Sequence, residues 1–352
     1  MSHTYSVAMS GNQIDDEKWM RDALEEAARG LGMTSPNPPV GAIIVRDATE
    51  LGKGWHQKAG EAHAEVNAIA NAKANHGEDA CQGATIYVTL EPCSTHGRTA
   101  PCVEAILKEG FSRVVISSTD PNPEHVGAAF NILQEAGIEV SGRVLEEQGD
   151  ELIRFFAKRV CTGLPWVIAK TAATLDGRTT LEPGEGQWVS SEASREDVQK
   201  WRRQCDAIMI GGETFRIDNP SLTLRGPYAE GRPQPLRVIF TSDDLLPQTH
   251  HLFSDEHQDR TRVHWSQSLD KSLRSLAAEG VNAVMLESGG RLLAHAMQLG
   301  LVDEMLLYLA PRLGGGHTRL LPVDGISAQL TDLEVKPIGP DIRLRGFFTE
   351  DD

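Results

Sequence analysis

The stretch Ala84–Ser117, ATIYVTLEPCSTHGRTAPCVEAILKEGFSRVVIS, decides how the first half of the chain folds. Its opening run, ATIYVTL, is β-branched and apolar and reads as a strand, VEAILKEG as a short helix ended by its own glycine, and RVVIS as a second strand. Upstream, GAIIV is a buried strand and HAEVNAIANAKA a helix, with the loop TSPNPPVG before them. From Trp19, WMRDALEEAARGLG places Met20, Leu24, Ala27, Ala28 and Leu31 on one helical face, with Gly32 as its stop. Downstream, the helix AAFNILQEAG leads to IEVSGRVL. Strands alternate with helices throughout, which implies a layered α/β domain.

The wider chain bounds what such a domain can do. Its 352 residues suggest two domains with a core large enough that folding alone needs neither metal nor disulfide, so a metal site would be functional. The five cysteines follow no disulfide framework, and the N-terminus lacks a charged-then-apolar leader; a reducing cytoplasm is expected. No apolar run approaches the ~20 residues that cross a bilayer, so no membrane association is expected. A net charge of −16 and the absence of a basic stretch interleaved with aromatics argue against nucleic acid and favour a small substrate.

The quoted stretch and the helix HAEVNAIANAKA before it together carry chemistry. His63 and Glu65 are two apart at the start of a helix, so His63 can turn to a metal while Glu65 reaches a water bound to it. Cys93 follows Pro92 at a strand end, and Cys102 follows Pro101 before a helix; both thiols are expected near helix N-termini, where N–H groups favour thiolate. One imidazole and two thiolates make three ligands of tetrahedral zinc and leave a fourth position open, as catalysis requires. Zinc there lowers the pKa of water towards ~7. Glu65 would move that proton to a leaving amine, as in zinc deaminases with the H-x-E and P-C-x-x-C signature, and ammonia would be the product. Singly, His63 is an ordinary helix-start histidine and the cysteines small buried hydrophobes. The four together carry the site, although Ser94–Pro101 puts eight residues between the cysteines in place of two.

On these motifs the first domain resembles the cytidine-deaminase-like superfamily, and the CSTHGRTAPC insert resembles its riboflavin-biosynthesis branch. TSPNPPVGAIIV, GKGWHQKAGEAHAE and DPNP at Asp120–Pro123 strengthen the likeness. The resemblance implies a three-layer fold and a phosphoribosylated pyrimidinone substrate. It makes Asn37, His56, Arg98, Asp120 and Asn122 substrate contacts, with Arg98 the phosphate partner by charge. Thr95 stands where the family usually has histidine, and Ala128 and Ala129 where it often has a basic residue and glycine.

The strand–helix rhythm breaks at the charged segment near Glu146–Asp150, so the junction is placed between Leu145 and Pro165: a deaminase domain over 1–145, a linker over 146–164 and a second α/β domain over 165–352. That domain runs through WVIAKTAATLDGR, DAIMIGG, LRVIF, VNAVMLESGG and EMLLYLAP, mostly short apolar strands. AKTAATLDGRTT puts Lys170 and Asp176 at opposite ends of a strand-to-loop segment, and Trp188 precedes a helix expected near Ser191. Two strands run into paired glycines, Gly211-Gly212 and Gly289-Gly290, the second after Glu287; such turns let phosphate approach backbone N–H groups. Together they could hold one dinucleotide, although neither is the G-x-G-x-x-G fingerprint.

This half resembles the reductase of the same bifunctional family, with a dihydrofolate-reductase-like α/β fold. The resemblance implies NADPH contacts at Ala172, Trp188, Thr214, Asp218, Ser242 and the turn Gly289, Gly290, Arg291 and Leu292. It implies substrate contacts at Arg202, Leu222, Arg225 and Glu287, and places Lys170, Asp176 and Gly186 in family motifs that border the substrate. Gly186 replaces the serine of S-x-W, and Gly290-Arg291 replaces Pro-Thr; Arg291 is a candidate for the 2′-phosphate that separates NADPH from NADH. The expected protein is a bifunctional riboflavin-biosynthesis enzyme that deaminates, then reduces ribosyl to ribityl, using zinc and NADPH. The resemblance also implies a homo-oligomer, a dimer or larger. Competing readings are a deaminase of free bases or tRNA with an accessory C-terminal domain, and a non-catalytic zinc-binding interaction module.

Overall fold

A computed structural model describes residues 11–95, 100–123, 126–181, 188–243, 245–314, 319–323 and 326–348. The chain separates into two compact units, Met1–Cys161 and Thr162–Asp352.

The first unit contains, in chain order, α1 (Gly11–Ala28), β1 (Gly41–Arg46), β2 (Thr49–Trp55), α2 (Ala64–His76), β3 (Thr85–Leu90), α3 (Cys102–Glu109), β4 (Arg113–Ser118), α4 (Ala128–Glu135), β5 (Glu139–Ser141) and α5 (Glu146–Thr162). Its sheet has the order β2-β1-β3-β4-β5. Strand β1 runs antiparallel to β2 and β3, while β3, β4 and β5 are mutually parallel. Both faces are buried, which is why its central strands are apolar without alternation. Ala42, Ile44, Ile86, Val88, Val114 and Ile116 pack into one core with alanines of α2 and Val103 and Ile106 of α3. The intervening Ile43, Val45, Tyr87 and Val115 pack against Trp19, Met20 and Ala23 of α1.

Helix α1 ends at Ala28, which is exposed, and Leu31 lies in the following turn, so neither belongs to the expected helical face; Met20, Ala23 and Ala27 form it. Strand β2 has no apolar run because α2 lies directly on it. A Cβ on Gly52 would stand 2.5 Å from Ala72 N, and one on Gly54 2.4 Å from Ala68 N. Only glycine opposite alanine permits that approach.

Where a linker was expected, residues 146–162 form α5. It packs tightly on β4: a Cβ on Gly149 would fall 2.3 Å from Ser118 Oγ and 2.5 Å from Ser117 Oγ. Near its end, Arg159 Nη2 donates to the Pro36 carbonyl at 2.9 Å and Cys161 Sγ to the Pro121 carbonyl at 3.3 Å.

The second unit contains β6 (Trp166–Thr174), α6 (Glu192–Arg202), β7 (Ala207–Gly211), α7 (Gly212–Asp218), β8 (Leu236–Thr241), α8 (His251–Ser254), β9 (Thr261–Trp265), α9 (Leu269–Ala278), β10 (Ala283–Leu286), α10 (Gly290–Gln298), β11 (Glu304–Ala310), β12 (Leu330–Ile338) and β13 (Asp341–Phe348). The sheet order is β12-β13-β11-β6-β10-β7-β8-β9. Strands β11 through β9 in that order are parallel, and the β12–β13 hairpin adds to β11 antiparallel. Val167, Ala169, Met209, Val284 and Leu286 form a core with α9 and α10 on one face. Ile208, Ile210 and Ile239 pack with Phe215, Leu222 and Leu252 on the other. In such open parallel sheets, ligands bind beyond the carboxyl ends of the strands, which here carry the paired glycines.

Candidate active sites

In the first unit His63 caps α2, Glu65 lies in its first turn, and Cys102 is the first residue of α3. His63 Nδ1 stands 3.2 Å from Cys102 Sγ and 3.5 Å from Cys93 Sγ, and the three ligand atoms lie within 4.8 Å of one another. Ligands of a tetrahedral zinc ion, at ~2.0 Å for nitrogen and ~2.3 Å for sulfur, are separated by roughly 3.5–3.8 Å. Slight expansion therefore accommodates the ion, and the His/Cys/Cys donor set suits it. Cys93 is not itself at a helix N-terminus, contrary to expectation. It precedes a loop and accepts the Cys102 backbone N–H from the start of α3 at 3.2 Å, so it still receives that helix's field. The Cys102 side-chain contact, and after it the one from His63, push the Cys93 thiol well below its usual range against the cost of burial. Glu65 is buried at 3 % exposure, and desolvation first, then the charge on Cys93, pushes its carboxyl up. A carboxyl so placed, its proton affinity raised by burial, is suited to accept and return a proton.

His56 lies edge-on to His63, their ring centroids 5.1 Å apart. Its Nδ1 is 3.1 Å from the Ala62 carbonyl and its Nε2 3.0 Å from Asn37 Nδ2, so donation to Ala62 and acceptance from Asn37 assign the Nδ1–H tautomer. Burial lowers the His56 pKa, which fits a neutral ring. The structure thus brings Asn37, His56 and His63 together. Asp120 Oδ1 accepts the Asn122 N–H at 2.8 Å, closing the DPNP turn. Arg98 lies outside the described residues.

Glu91, not singled out from sequence, joins these parts. Its carboxylate accepts the backbone N–H groups of Asp120 at 3.2 Å, Gly127 at 3.0 Å and Ala129 at 3.0 Å. The sequence shows only an acid beside a proline in LEPC, which does not announce these partners.

In the second unit Glu287, just past β10, forms a two-bond fork with Arg202, Nε–Oε1 2.5 Å and Nη2–Oε2 2.9 Å, while Lys170 Nζ is 3.8 Å away. Burial alone would raise the Glu287 carboxyl, but the charges of Arg202 and then Lys170 hold it down to about 2. Lys170 is the lesser partner; burial outweighs the pull of Glu287 and lowers its pKa. Arg202 also donates to the Thr223 carbonyl at 3.0 Å, so the cluster reaches the segment carrying Leu222 and Arg225. Leu222 is buried with φ 51°, and the Arg225 N–H is held by Gln199 Oε1 at 3.1 Å.

The paired glycines divide their roles in a way sequence did not foresee. A Cβ on Gly290 would lie 2.5 Å from Pro322 Cδ and 2.8 Å from the carbonyl oxygens of Arg319 and Leu320; one on Gly212 would lie 2.5 Å from Thr241 Oγ1. These second glycines are needed for packing. Gly211 and Gly289 are N-caps of α7 and α10 without side-chain caps, and a Cβ on Gly289 would meet nothing nearer than Thr214 Oγ1 at 4.0 Å. The Gly211 N–H donates to Ser288 Oγ at 3.3 Å, so the two turns adjoin. This open cradle with Thr214 beside it fits a dinucleotide phosphate.

Other expected contacts vary. Ala172 is half-buried on β6, Trp188 is exposed with Arg195 over its ring at 5.4 Å, and Asp218 and Ser242 are exposed. The Leu292 side chain belongs to the core, which leaves only its backbone for a ligand. Arg291 is exposed, 3.8 Å from Glu213. Asp176 Oδ1 bonds Thr174 Oγ1 in its own turn and accepts the N–H of the distant Gly314 at 2.9 Å, so it ties the end of β6 to that segment. Gly186 lies outside the described residues.

Residues 165–344 match the RibD C-terminal domain, and residues 13–118 the cytidine and deoxycytidylate deaminase zinc-binding region. The chain is 37% identical to riboflavin biosynthesis protein RibD of Escherichia coli K12, over 94% of its own length and 99% of that protein. It is 38% identical to RibD of Bacillus amyloliquefaciens, over 94% and 95% of the two chains. Among solved structures it is similar to Acinetobacter baumannii RibD, with TM-score 0.88, 38% identity and coverage of 96% of this chain and 100% of that one. A diaminohydroxyphosphoribosylaminopyrimidine deaminase/5-amino-6-(5-phosphoribosylamino)uracil reductase from Thermotoga maritima gives TM-score 0.86 at 30% identity, covering 96% and 100%.

Proposed function

This chain belongs to the RibD family and is a bifunctional deaminase and reductase of riboflavin biosynthesis, and from that premise we propose how its residues divide the two reactions. The substrate is the phosphoribosylated diaminopyrimidinone that the name of the Thermotoga relative specifies. The convergence of His63 Nδ1 and two cysteine sulfurs beside the buried Glu65 is the observation that carries the reading.

For deamination, His63, Cys93 and Cys102 hold zinc, which when bound supplies Lewis-acid activation of water near neutral pH. Glu65 takes the proton of the attacking water and returns it to the exocyclic amine, which leaves as ammonia; its burial keeps the carboxyl basic enough for both transfers. Asn37 and His56 orient the ring on one side, Asp120 and Asn122 on another, and Arg98 takes the phosphate.

For reduction, NADPH bound along the Gly211 and Gly289 turns supplies hydride. Thr214, Asp218, Ala172, Trp188, Ser242, Arg291 and the backbone of Gly290 and Leu292 border the cofactor. Lys170, Arg202 and Glu287 hold the sugar, with Leu222 and Arg225 closing the pocket, and the family motifs assign Asp176 and Gly186 to the substrate as well. The neutralised Glu287 cluster supports this assignment, because a forked ion pair beside strand ends places both charge signs against ribose hydroxyls and phosphate.

The proposal includes assembly as a dimer or larger. Support comes from edge strand β12, whose Leu333 and Val335 are exposed, and light scattering on the purified protein would test it. Cytoplasmic residence is likewise proposed, supported by five free cysteines. Among the described residues no helix is long and apolar enough to cross a membrane.

The deciding experiment supplies the diaminopyrimidinone phosphate and NADPH together, following ammonia and NADPH absorbance with and without a zinc chelator. Chelator-sensitive ammonia followed by NADPH loss is expected. Ammonia without NADPH loss would overturn the assignment of the second site.

A further inference from the structure

Glu91 leaves the carboxyl end of β3 with its own N–H on the Ser118 carbonyl at 2.9 Å, so it continues the parallel pairing of β3 with β4. Two residues after Glu91 comes Cys93, and two residues after Ser118 comes Asp120. The Glu91 side chain, 5 % exposed, turns across this junction and collects three backbone N–H groups: Asp120 and Gly127 on Oε2, Ala129 on Oε1. Gly127 caps α4 without a side-chain bond of its own, so the carboxylate caps that helix from outside. A buried carboxylate costs several kcal/mol unless its lone pairs are filled, and backbone donors in a set geometry fill them. Asp120 in turn accepts the Asn122 N–H.

We propose that Glu91 is a positioning residue of the deaminase: it ties the substrate turn Asp120–Asn122 and the start of α4 to the strand end that carries the metal ligand Cys93. It acts through the turn, touching neither substrate nor metal. The idea rests on the reading of Asp120 and Asn122 as substrate contacts. Glutamine keeps the shape but offers one acceptor oxygen where glutamate has two, and its amide NH2 must face a backbone N–H. The turn then loses an anchor while the core keeps its volume.

The test uses full-length zinc-loaded protein carrying Glu91→Gln, with Glu91→Ala and Asp120→Asn as companions. Zinc content, deaminase kcat and KM, reductase activity and amide hydrogen exchange of the segment 119–130 are measured together. Glu91→Gln is expected to keep zinc and reductase activity, raise deaminase KM roughly 10-fold with a smaller change in kcat, and speed exchange in the segment at least about 10-fold, the order one charge-assisted hydrogen bond supplies. Glu91→Ala should go further in the same direction; if it fails to fold, Glu91→Gln decides. Wild-type KM or exchange in Glu91→Gln overturns the proposal, and so does loss of its zinc, which would make Glu91 a support of the metal turn instead. Asp120→Asn should raise KM while leaving exchange across 127–129 at the wild-type rate. An unchanged KM there removes the substrate reading of the turn and this proposal with it, whereas an unchanged KM confined to Glu91→Gln removes this proposal alone.

Discussion

Adjacent glycines at the start of α10 should respond to the same substitution in opposite ways. Alanine at Gly290 sets a methyl 2.5 Å from Pro322 Cδ and 2.8 Å from two carbonyl oxygens, those of Arg319 and Leu320. Two of these three neighbours are backbone and cannot rotate away, so the segment must shift. Overpacking against fixed backbone falls in the upper part of the usual range, about 2–3 kcal/mol, and alanine's better helix propensity returns about 1 kcal/mol, leaving a net loss of about 1–2 kcal/mol. At about 2–4 °C per kcal/mol for a unit of this size, the reductase unit should melt about 2–8 °C lower. Alanine at Gly289 meets only Thr214 Oγ1, at an ordinary contact distance of 4.0 Å, with a φ of −65° that any residue adopts, so its effect on melting should be the smaller. Its methyl instead occupies the cradle, and the loss of one N–H to phosphate contact should weaken NADPH binding roughly 10- to 100-fold. Calorimetry and fluorescence titration with NADPH read the two effects, with ammonia release as an internal control of the other unit. Gly290→Ala melting like wild type, or Gly289→Ala binding NADPH like wild type, would refute the division of labour.

Other expectations follow from the two sites. Glu65→Gln should retain zinc yet lose ammonia release by roughly 10²- to 10⁴-fold; activity within a factor of a few of wild type would remove Glu65 from proton transfer. Glu287→Gln leaves the largely covered Arg202 and Lys170 without their counter-charge and should cost up to about 3–5 kcal/mol in urea unfolding. Because the folded Glu287 carboxyl sits at about 2, below its ordinary 4.5, its stabilisation is fully present above pH 4.5 and drains away as pH falls towards 2. The stability gap between wild type and Glu287→Gln should therefore narrow on acidification through that window, and a gap independent of pH would contradict the cited cause. Arg291→Ala should shrink the preference for NADPH over NADH in direct binding titrations; an unchanged ratio would assign the 2′-phosphate elsewhere.

What the sequence made legible follows from how burial writes itself into residue choice. The strands β3, β4, β7, β8 and β10 are covered on both faces and are therefore continuous apolar runs. Strand β2 escaped because its contacts demand glycine, and β12 because Leu333, Glu334, Val335 and Lys336 stand at an open edge where polarity is tolerated. The candidate zinc ligands and Glu65 were visible because a histidine two residues before a glutamate and two proline–cysteine pairs are chemically conspicuous. Glu91 was not, since one acid beside a proline says nothing about three backbone amides that reach it from 29 to 38 residues away. Asp176 was named through its place in a family motif, and no pattern in the sequence announced that its Oδ1 would bond Thr174 Oγ1 and also accept the N–H of Gly314, 138 residues away.

Helix α5 reaches back from the end of the first unit to the carbonyls of Pro36 and Pro121, one in each loop proposed to frame the pyrimidine. As a heritable piece, then, the deaminase extends to the residues that make those contacts. A gene divided after codon 145 would encode a sheet and its metal ligands but omit the strut beneath both loops, whereas a joint placed beyond residue 161 would carry it along. Recombination that exchanges reductase partners, in nature or at the bench, should therefore prefer crossovers on the far side of α5.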